Sequence, residues 1–370
     1  MATVIDAFAQ DHIWSRSLPG RGLSTPENLS PGQNLSKGLA LDSDHNVYIA
    51  GYSVDTVDFD PGPEEALQIA GYRDIYFAKY DSAGNYLWAH VLATDGYNRA
   101  NHIATDTEGN AVIIGHGSNP ADFNPGPGEA ILGNDGDAGF YGFLAKYNTN
   151  GSYLWAVELK SILRRVTTDP DGNIYVTGAF SQSFDIDPGP GELILNPGSG
   201  GICIAKFSPA GELIWAQALS GAGNLGTPTS LSFGESENLL IAGSFGNTVD
   251  FDTSPAEYNL AAETASDRFF AMYTSDGALV WARGINVNGY WAGGGGSPEY
   301  IGIRENADGD IIVAGNFKET VDFDPGPQSE LVFTGLNRST FFAKYNSDGN
   351  FLWVKAIHST FTQVYDLEIG

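Results

Sequence analysis

Asn85-Tyr86-Leu87-Trp88-Ala89 is a segment that returns five more times in this chain in related form. The copies share a tryptophan that follows an aliphatic residue, and their tryptophans are Trp14, Trp155, Trp215, Trp281 and Trp353. Successive tryptophans are 74, 67, 60, 66 and 72 residues apart. The chain is therefore built from about six copies of a unit of roughly 65 residues, and short insertions change its length from copy to copy.

Four short runs recur in each unit, and we name them a, b, c and d. In the first unit run a is Gly38-Leu39-Ala40-Leu41-Asp42, run b is Val47-Tyr48-Ile49-Ala50-Gly51 and run c is Tyr76-Phe77-Ala78-Lys79-Tyr80, while run d carries the tryptophan. All are rich in β-branched and aromatic residues, and they have the length of strands rather than helices. Asp81-Ser82-Ala83-Gly84 between runs c and d fits a type I turn closed by a glycine in the left-handed region. The sequence predicts an all-β fold, a β-propeller in which each unit is one four-stranded antiparallel blade.

The two ends of the chain carry parts of a further unit. Residues 12–18 supply run d alone, and residues 363–369 lie where run a belongs. We predict one propeller domain over residues 10–370, with units at about 19–92, 93–159, 160–219, 220–285 and 286–357 and a sixth unit split between the ends. Six blades are expected, because closing the ring pairs strand edges that would otherwise stay open. The alternative is a five-bladed ring; the missing runs b and c also suggest a fragment of a longer reading frame.

The order Ala-Lys-Tyr, turn, Gly, Leu-Trp-Ala and then Asp-x-x-Gly-Asn-x-Tyr-Val-x-Gly resembles the bacterial β-propeller repeat family of SBBP type. The resemblance covers the chain from Trp14 to about Ile369, and it implies an extracellular propeller without a particular activity. Two features depart from the family pattern. One is an Asp-Pro-Gly-Pro signature after run b, and the other is Met272 in place of the run c lysine, which suggests that the fourth unit has lost an exposed role.

Composition narrows the possible partners and the location. With 45 acidic against 18 basic residues the net charge is −27, which argues against binding to nucleic acid or to anionic membranes. No window is apolar enough for a spanning helix, so we expect no membrane insertion. Ala7-Phe8-Ala9 reads like the end of a secretory signal, so residues 1–9 are interpreted as its remnant and the protein as secreted or displayed on a bacterial cell surface. The single cysteine, Cys203, is expected to be a buried strand residue, and the protein is expected to be a monomer.

Each unit carries a pair of acids between runs b and c. In Val57-Asp58-Phe59-Asp60-Pro61-Gly62-Pro63 the two carboxylates lie on one face, about 6.6 Å apart, if the segment is extended. The Pro-Gly step fits a type II turn. Carboxylate oxygens in such a pair are ligands that Ca²⁺ prefers, so one interpretation is a calcium site in each unit. The alternative is that the first Asp caps backbone amides and the second begins the turn. The calcium candidates are Asp58, Asp60, Asp122, Asp185, Asp187, Asp250, Asp252, Asp322 and Asp324; Asn124 occupies the second position of one copy.

Catalysis has little support in the sequence. The six histidines lack zinc-ligand spacing, and no nucleophile elbow or phosphate-binding loop is present. Tyr290 and Trp291, in a long loop between runs d and a, are candidates for stacking on a ligand. We therefore expect a non-catalytic binding or scaffolding propeller whose partner is a protein or a glycan, with calcium or no cofactor. A carbohydrate-binding lectin is the alternative, and a propeller glycoside hydrolase or lyase is a third class.

Overall fold

The computed structural model describes residues 20–21, 35–54, 56–71, 73–94, 96–133, 140–198, 200–221, 225–263, 266–287, 300–317, 320–333, 339–358 and 367. In these ranges the regular structure consists of strands and turns. None of the described residues forms a helix that is long and apolar enough to cross a membrane.

The strands are short and follow the predicted runs. The first unit contains β1 (Gly20–Arg21), β2 (Leu35–Leu41), β3 (Val47–Ser53), β4 (Thr56–Asp58), β5 (Leu67–Ile69), β6 (Asp74–Tyr80) and β7 (Tyr86–Leu92). The second contains β8 (Arg99–Thr105), β9 (Ala111–Gly117), β10 (Ala121–Asp122), β11 (Ile131–Leu132), β12 (Tyr141–Tyr147) and β13 (Tyr153–Leu159). The third contains β14 (Arg165–Thr168), β15 (Ile174–Phe180), β16 (Phe184–Asp185), β17 (Ile194–Leu195), β18 (Gly201–Phe207) and β19 (Leu213–Gly221). The fourth contains β20 (Leu225–Phe233), β21 (Asn238–Phe245), β22 (Thr248–Asp250), β23 (Asn259–Ala261), β24 (Asp267–Thr274) and β25 (Leu279–Val287). The fifth contains β26 (Ile301–Glu305), β27 (Ile311–Phe317), β28 (Thr320–Asp322), β29 (Leu331–Phe333), β30 (Ser339–Tyr345) and β31 (Phe351–Ile357).

The strands form blades in the order a-b-c-d. Blade 1 is the antiparallel sheet β2-β3-β6-β7, and the same four-stranded pattern repeats as β8-β9-β12-β13, β14-β15-β18-β19, β20-β21-β24-β25 and β26-β27-β30-β31. The run a strands contact one another in turn, β2 with β8, β8 with β14, β14 with β20 and β20 with β26. Run a is therefore innermost and run d outermost, which is the arrangement of a β-propeller. The predicted all-β propeller fold is confirmed, while the number of blades stays a prediction.

The core lies between blades rather than inside them. One cluster joins Phe77 of blade 1 to Phe143 of blade 2, and equivalent clusters join blades 2 and 3, 3 and 4, and 4 and 5. The apolar residue between each pair of acids is buried: Phe123, Ile186, Phe251 and Phe323 enter the clusters between blades, whereas Phe59 lies in a fifth cluster formed by residues of blade 1 alone. A blade cannot bury its two faces alone, so its stability depends on its neighbours.

Each run d tryptophan connects its blade to the next one. The indole nitrogens of Trp88, Trp155, Trp215 and Trp281 donate to a carbonyl in the next blade's c–d turn, at distances of 2.9 to 3.2 Å. The turn glycines of those blades, at φ of 73° to 87°, lie against the tryptophan rings. The tryptophan rings differ in how deeply they are buried. Trp281 is 4% exposed, three others are half-buried and Trp353 is 39% exposed, because burial depends on what the next blade places over the ring.

The run c lysines are buried and form ion pairs with the turn that follows run a. Lys79 lies 3.1 Å from Asp42 and Lys146 lies 2.8 Å from Asp106. Burial raises the pKa of Asp106, but hydrogen bonds from Lys146 and Asn110 outweigh it and hold this pKa below its ordinary value. The pair therefore stabilises the fold above the ordinary carboxyl range, and its contribution is lost as the pH falls through the lowered pKa.

The fourth unit lacks both members of this ion pair. Gly234 stands where the other units have an acid or its Asn counterpart, and Met272 replaces the lysine and is buried. The inference of a lost exposed role is therefore wrong, since the lysine position is interior and the two charges are absent together. In the fifth unit the acid has moved from position 306 to Asp310, which still pairs with Lys344 at 2.6 Å.

The described parts of both chain ends contact the first and the fifth blade. Strand β1 follows Trp14 and pairs with β4, Gly20 facing Val57. In blades 3 and 4 the residue six positions after the tryptophan pairs in the same way, Gly221 with Val249 and Val287 with Val321. At the other end Leu367 is buried, and its Cβ would lie 2.8 Å from a Cβ on Gly302 of inner strand β26. A sixth unit split between the two ends stays a prediction.

Candidate functional site

The paired acids cap the loop of the hairpin between runs b and c. An Oδ1 atom of Asp58 accepts from the amides of Asp60 at 3.1 Å and Ala66 at 2.9 Å. The second acid, Asp60, accepts from the amide of Gly62 at 2.7 Å. The same three bonds recur in every blade, with first acids Asp122, Asp185, Asp250 and Asp322 and second residues Asn124, Asp187, Asp252 and Asp324. This is the geometry of the capping interpretation, because one carboxylate closes the two ends of an eight-residue loop.

The predicted type II turn at the Pro-Gly step is wrong. Gly62 and its equivalents are not among the glycines with positive φ. The Gly62 amide instead donates to the carboxylate of Asp60. Ser254 occupies this position in blade 4 and its amide still donates to Asp252 at 2.9 Å, so a side chain is tolerated there.

Between runs a and b lie acidic segments that end in Gly-Asn, such as Asp-Thr-Glu-Gly-Asn at residues 106–110 and Asp-Pro-Asp-Gly-Asn at residues 169–173, and they are also turns. Asp106 accepts from the amides of Glu108 and Asn110, while Gly109 has a φ of 77°. His45, which replaces this glycine in the first unit, has a φ of 62°, so the same left-handed conformation is kept. In the ranges that the structure describes, no group of three His, Cys, Asp or Glu side chains is placed to hold a metal ion.

We expect Asp322→Ala to lower the free energy of unfolding by about 1 kcal/mol, because two loop amides lose their acceptor. Asp324→Asn should change it by less than about 0.5 kcal/mol, since Asn124 already accepts from Gly126 at 2.9 Å in blade 2. Denaturant unfolding of both variants measures the difference. Equal losses in the two variants would contradict the capping assignment.

Calcium binding stays a prediction of the sequence. If the paired acids bind calcium, a chelator should lower the melting temperature of the protein. Asp322→Asn should then make this decrease smaller. If the melting temperature is indifferent to calcium and to chelator, capping is the whole role of these acids.

The other predicted site lies outside the described residues. Tyr290 and Trp291 belong to the undescribed stretch 288–299, so their stacking role stays a prediction. Cys203 is buried as predicted, and burial raises the pKa of its thiol to about 12, which leaves the thiol uncharged.

A cavity of about 500 Å³ lies where the inner strands of blades 1 to 4 end. Its acidic lining residues are Asp42, Asp106, Asp169, Glu235 and Glu237. Three of these acids are neutralised by ion pairs with Lys79, Lys146 and Lys206. Because four blades line one cavity, it marks one end of the central channel.

Two histidines lie on the first two strands of blade 2: His102 is in the middle of inner strand β8, and His116 is on β9 opposite Arg99. Burial and the nearby Arg99 and Arg164 lower the pKa of His116 to about 3. Burial and the positive charges of Arg165 and Arg304 hold the pKa of His102 well below its ordinary value. Both rings are therefore neutral over the physiological range.

The chain is similar to known propeller proteins. An uncharacterized WD repeat-containing protein of Acanthamoeba polyphaga mimivirus is 22% identical over 415 residues, covering 90% of this chain. This chain corresponds to only 29% of that relative's length. WD repeats form propeller blades, so the relative belongs to the same general class of repeat protein. No protein-family model matches the chain, and the SBBP-type resemblance stays an interpretation.

Solved structures give weaker similarities. A protein of unknown function from Bacteroides caccae aligns over 90% of this chain and 85% of its own, with 11% identity and a TM-score of 0.39. BamB from Moraxella catarrhalis aligns over 89% of this chain and 98% of its own, with 12% identity and a TM-score of 0.27. Scores this low add nothing to the assignment of fold or function.

Proposed function

We propose that this propeller is a non-catalytic binding or scaffolding module of a secreted or cell-surface protein, and that protein partners dock on its outer rim. Its repeated charged residues support the non-catalytic part. The acids of the hairpins cap backbone amides, and the run c lysines neutralise turn acids, so these groups are engaged in holding the fold.

The observation that carries the proposal is the residue before each run d tryptophan. It is aliphatic in all five described blades and between 45% and 51% exposed; these residues are Leu87, Leu154, Ile214, Val280 and Leu352. Run d is the outermost strand, so the row follows the rim of the propeller. The fold does not require an aliphatic side chain at such a half-exposed position. A polar residue there would change the free energy of unfolding only a little.

A second row of exposed aliphatic residues lies beside the first. Ile69, Ile131, Ile194 and Leu331, in the hairpins between runs b and c, are between 50% and 75% exposed. Strands β5, β11 and β17 contact β7, β13 and β19, so the hairpins border the run d strands of their own blades. Apolar patches that continue over such a surface are typical of protein–protein interaction sites.

The experiment compares two triple variants that each replace three exposed aliphatic residues. The rim variant carries Leu87→Ser, Leu154→Ser and Ile214→Ser. The control carries Leu35→Ser, Leu39→Ser and Leu41→Ser in inner strand β2, where the leucines are 42% to 45% exposed. Both variants should melt close to the unmodified protein, because the replaced side chains are solvated.

Partners are captured from the secreted and surface fractions of the source cells, then purified and titrated against each form. The proposal expects the rim variant to lose binding and the control to keep it. Equal binding by all three forms would contradict rim docking. A glycan array tests the lectin alternative, which gains support if one glycan binds the rim variant and the unmodified protein equally.

A further inference from the structure

The cations of this acidic chain gather in the central channel. Only 18 of the 370 residues are Lys or Arg, yet the inner strands or the residues just before them carry Lys37, Arg99, Arg164, Arg165 and Arg304. These residues are not part of the repeat, because the equivalent positions of other units are not consistently basic. Residues that break a repeat are the ones that give a propeller its individual chemistry.

Several of these cations contact or influence residues of other blades: Arg165 donates to the carbonyl of Thr229 at 2.6 Å, and Arg304 donates to the hydroxyl of Ser230 at 3.2 Å, both on inner strand β20. Burial and the positive charges of Arg99 and Arg165 lower the pKa of Lys37, so residues of blades 1, 2 and 3 share one region. The positive charges of Arg165 in blade 3 and of Arg304 in blade 5 both lower the pKa of His102 in blade 2. Cations from blades 1, 2, 3 and 5 therefore lie close together near the inner strands, although the whole chain carries a net charge of −27.

Hydrogen bonds fix the geometry between blades 2 and 3. Arg99 pairs with His116 across strands β8 and β9. Asn101 Nδ2 lies 3.2 Å from His116 Nδ1 and donates to the carbonyl of Leu163, the residue before Arg164, at 2.7 Å. Arg99 and Arg164 are therefore held on either side of one rigid contact.

Three arginines have guanidinium nitrogens that nothing in the described chain satisfies. The Nε atoms of Arg73, Arg99 and Arg164 are buried without a hydrogen-bond partner. Among the described residues no carboxylate forms an ion pair with any of the three. The three side chains as a whole are partly buried. Leaving a buried donor without a partner is costly, and an anion bound beside the guanidinium groups would supply both an acceptor and the missing charge.

Aromatic rings border the same region. The Arg73 guanidinium lies 4.3 Å from the centroid of the Tyr97 ring and 5.0 Å from that of Tyr52. The Phe140 ring is 5.6 Å from His116 and 6.4 Å from Tyr97, and Phe140 is 57% exposed. The cationic groups therefore have an open apolar wall beside them.

We propose that Arg73, Arg99 and Arg164, the channel-mouth cluster, bind a ligand through an oxyanion: a carboxylate, a sulfate or a phosphate. Planar guanidinium groups present forked donors that match the oxygens of these anions. Phe140 gives the body of the ligand an apolar surface on which to rest. The site is independent of the apolar rim, so either can fail without the other.

Isothermal titration tests the site with three probes at constant ionic strength, namely sodium glucuronate, sodium sulfate and sodium phosphate, against sodium chloride. At least one probe should bind more tightly than chloride, and the tightest one identifies the chemistry. Arg99→Gln and Arg164→Gln should each weaken that binding about tenfold or more, the effect of losing one charge-assisted hydrogen bond. Lys355→Gln, in outer strand β31 and exposed, should leave it unchanged.

A second measurement needs no variant. The binding anion should protect Arg99 and Arg164 of the unmodified protein from phenylglyoxal, as read by peptide mass spectrometry. The proposal is overturned if no probe exceeds chloride, or if Arg99→Gln binds as tightly as the unmodified protein while the anion gives no protection.

Discussion

Trp281→Ala is expected to lower the free energy of unfolding by about 3 to 5 kcal/mol, the range for removing a large buried aromatic side chain. Trp281 is 4% exposed and packs edge-on against Phe270 at a centroid distance of 5.7 Å. Its indole donates to the carbonyl of Ser347 at 2.9 Å, and Gly349 of blade 5 lies against its ring. The substitution removes the packing and the hydrogen bond that join blade 4 to blade 5.

Trp353→Ala is the matched control, because it removes the same side chain at the equivalent position of the next blade. Trp353 is 39% exposed, so its loss should cost less than about 1 kcal/mol. Equilibrium unfolding in urea, read by circular dichroism, compares the two. Similar losses at both positions would show that exposure does not determine the role of these rings, and would undo the argument that they join blades.

Local patterns in the sequence predict the fold well. The tryptophan repeat gives the four-stranded blade as the unit of the fold, and the turn motif with Gly84 gives the left-handed turn, whose φ is 79°. Both follow from short-range physics, since strand length and a positive φ are properties of a few adjacent residues. The capping role of Asp58 was one of two interpretations of its pattern, and three hydrogen bonds per hairpin now match it.

Local sequence patterns do not predict features that depend on residues far apart in the chain. The Pro-Gly step of residues 61–62 looks like a type II turn, but the Gly62 amide donates to the Asp60 carboxylate and the glycine does not take a positive φ. Lys79 looks exposed until its distant partner Asp42 is placed 3.1 Å away. Arg99 and Arg164 are 65 residues apart in the chain, and only the ring brings them together. The sequence does carry one signal that could have pointed to these arginines, because they interrupt the repeat.

Removing the N-terminal strand should have the largest effect on the oligomeric state and the melting temperature. The reason is that a closed ring holds both the rim and the channel in place. Strand β1 covers the edge of β4, and Leu367 lies beside inner strand β26, as expected if both ends of the chain complete one blade. A chain that lacks residues 1–21 loses this pairing and exposes an edge that favours association between molecules. A chain that lacks only residues 1–9, the predicted signal remnant, keeps strand β1 and is the control.

The most direct test is the molar mass of both deletion variants by size-exclusion chromatography with light scattering, together with their melting temperatures. The account predicts that the control stays monomeric and melts like the full chain, while the variant without residues 1–21 forms oligomers or aggregates and melts earlier. A monomer of unchanged melting temperature after deletion of residues 1–21 would contradict closure of the ring by the two ends.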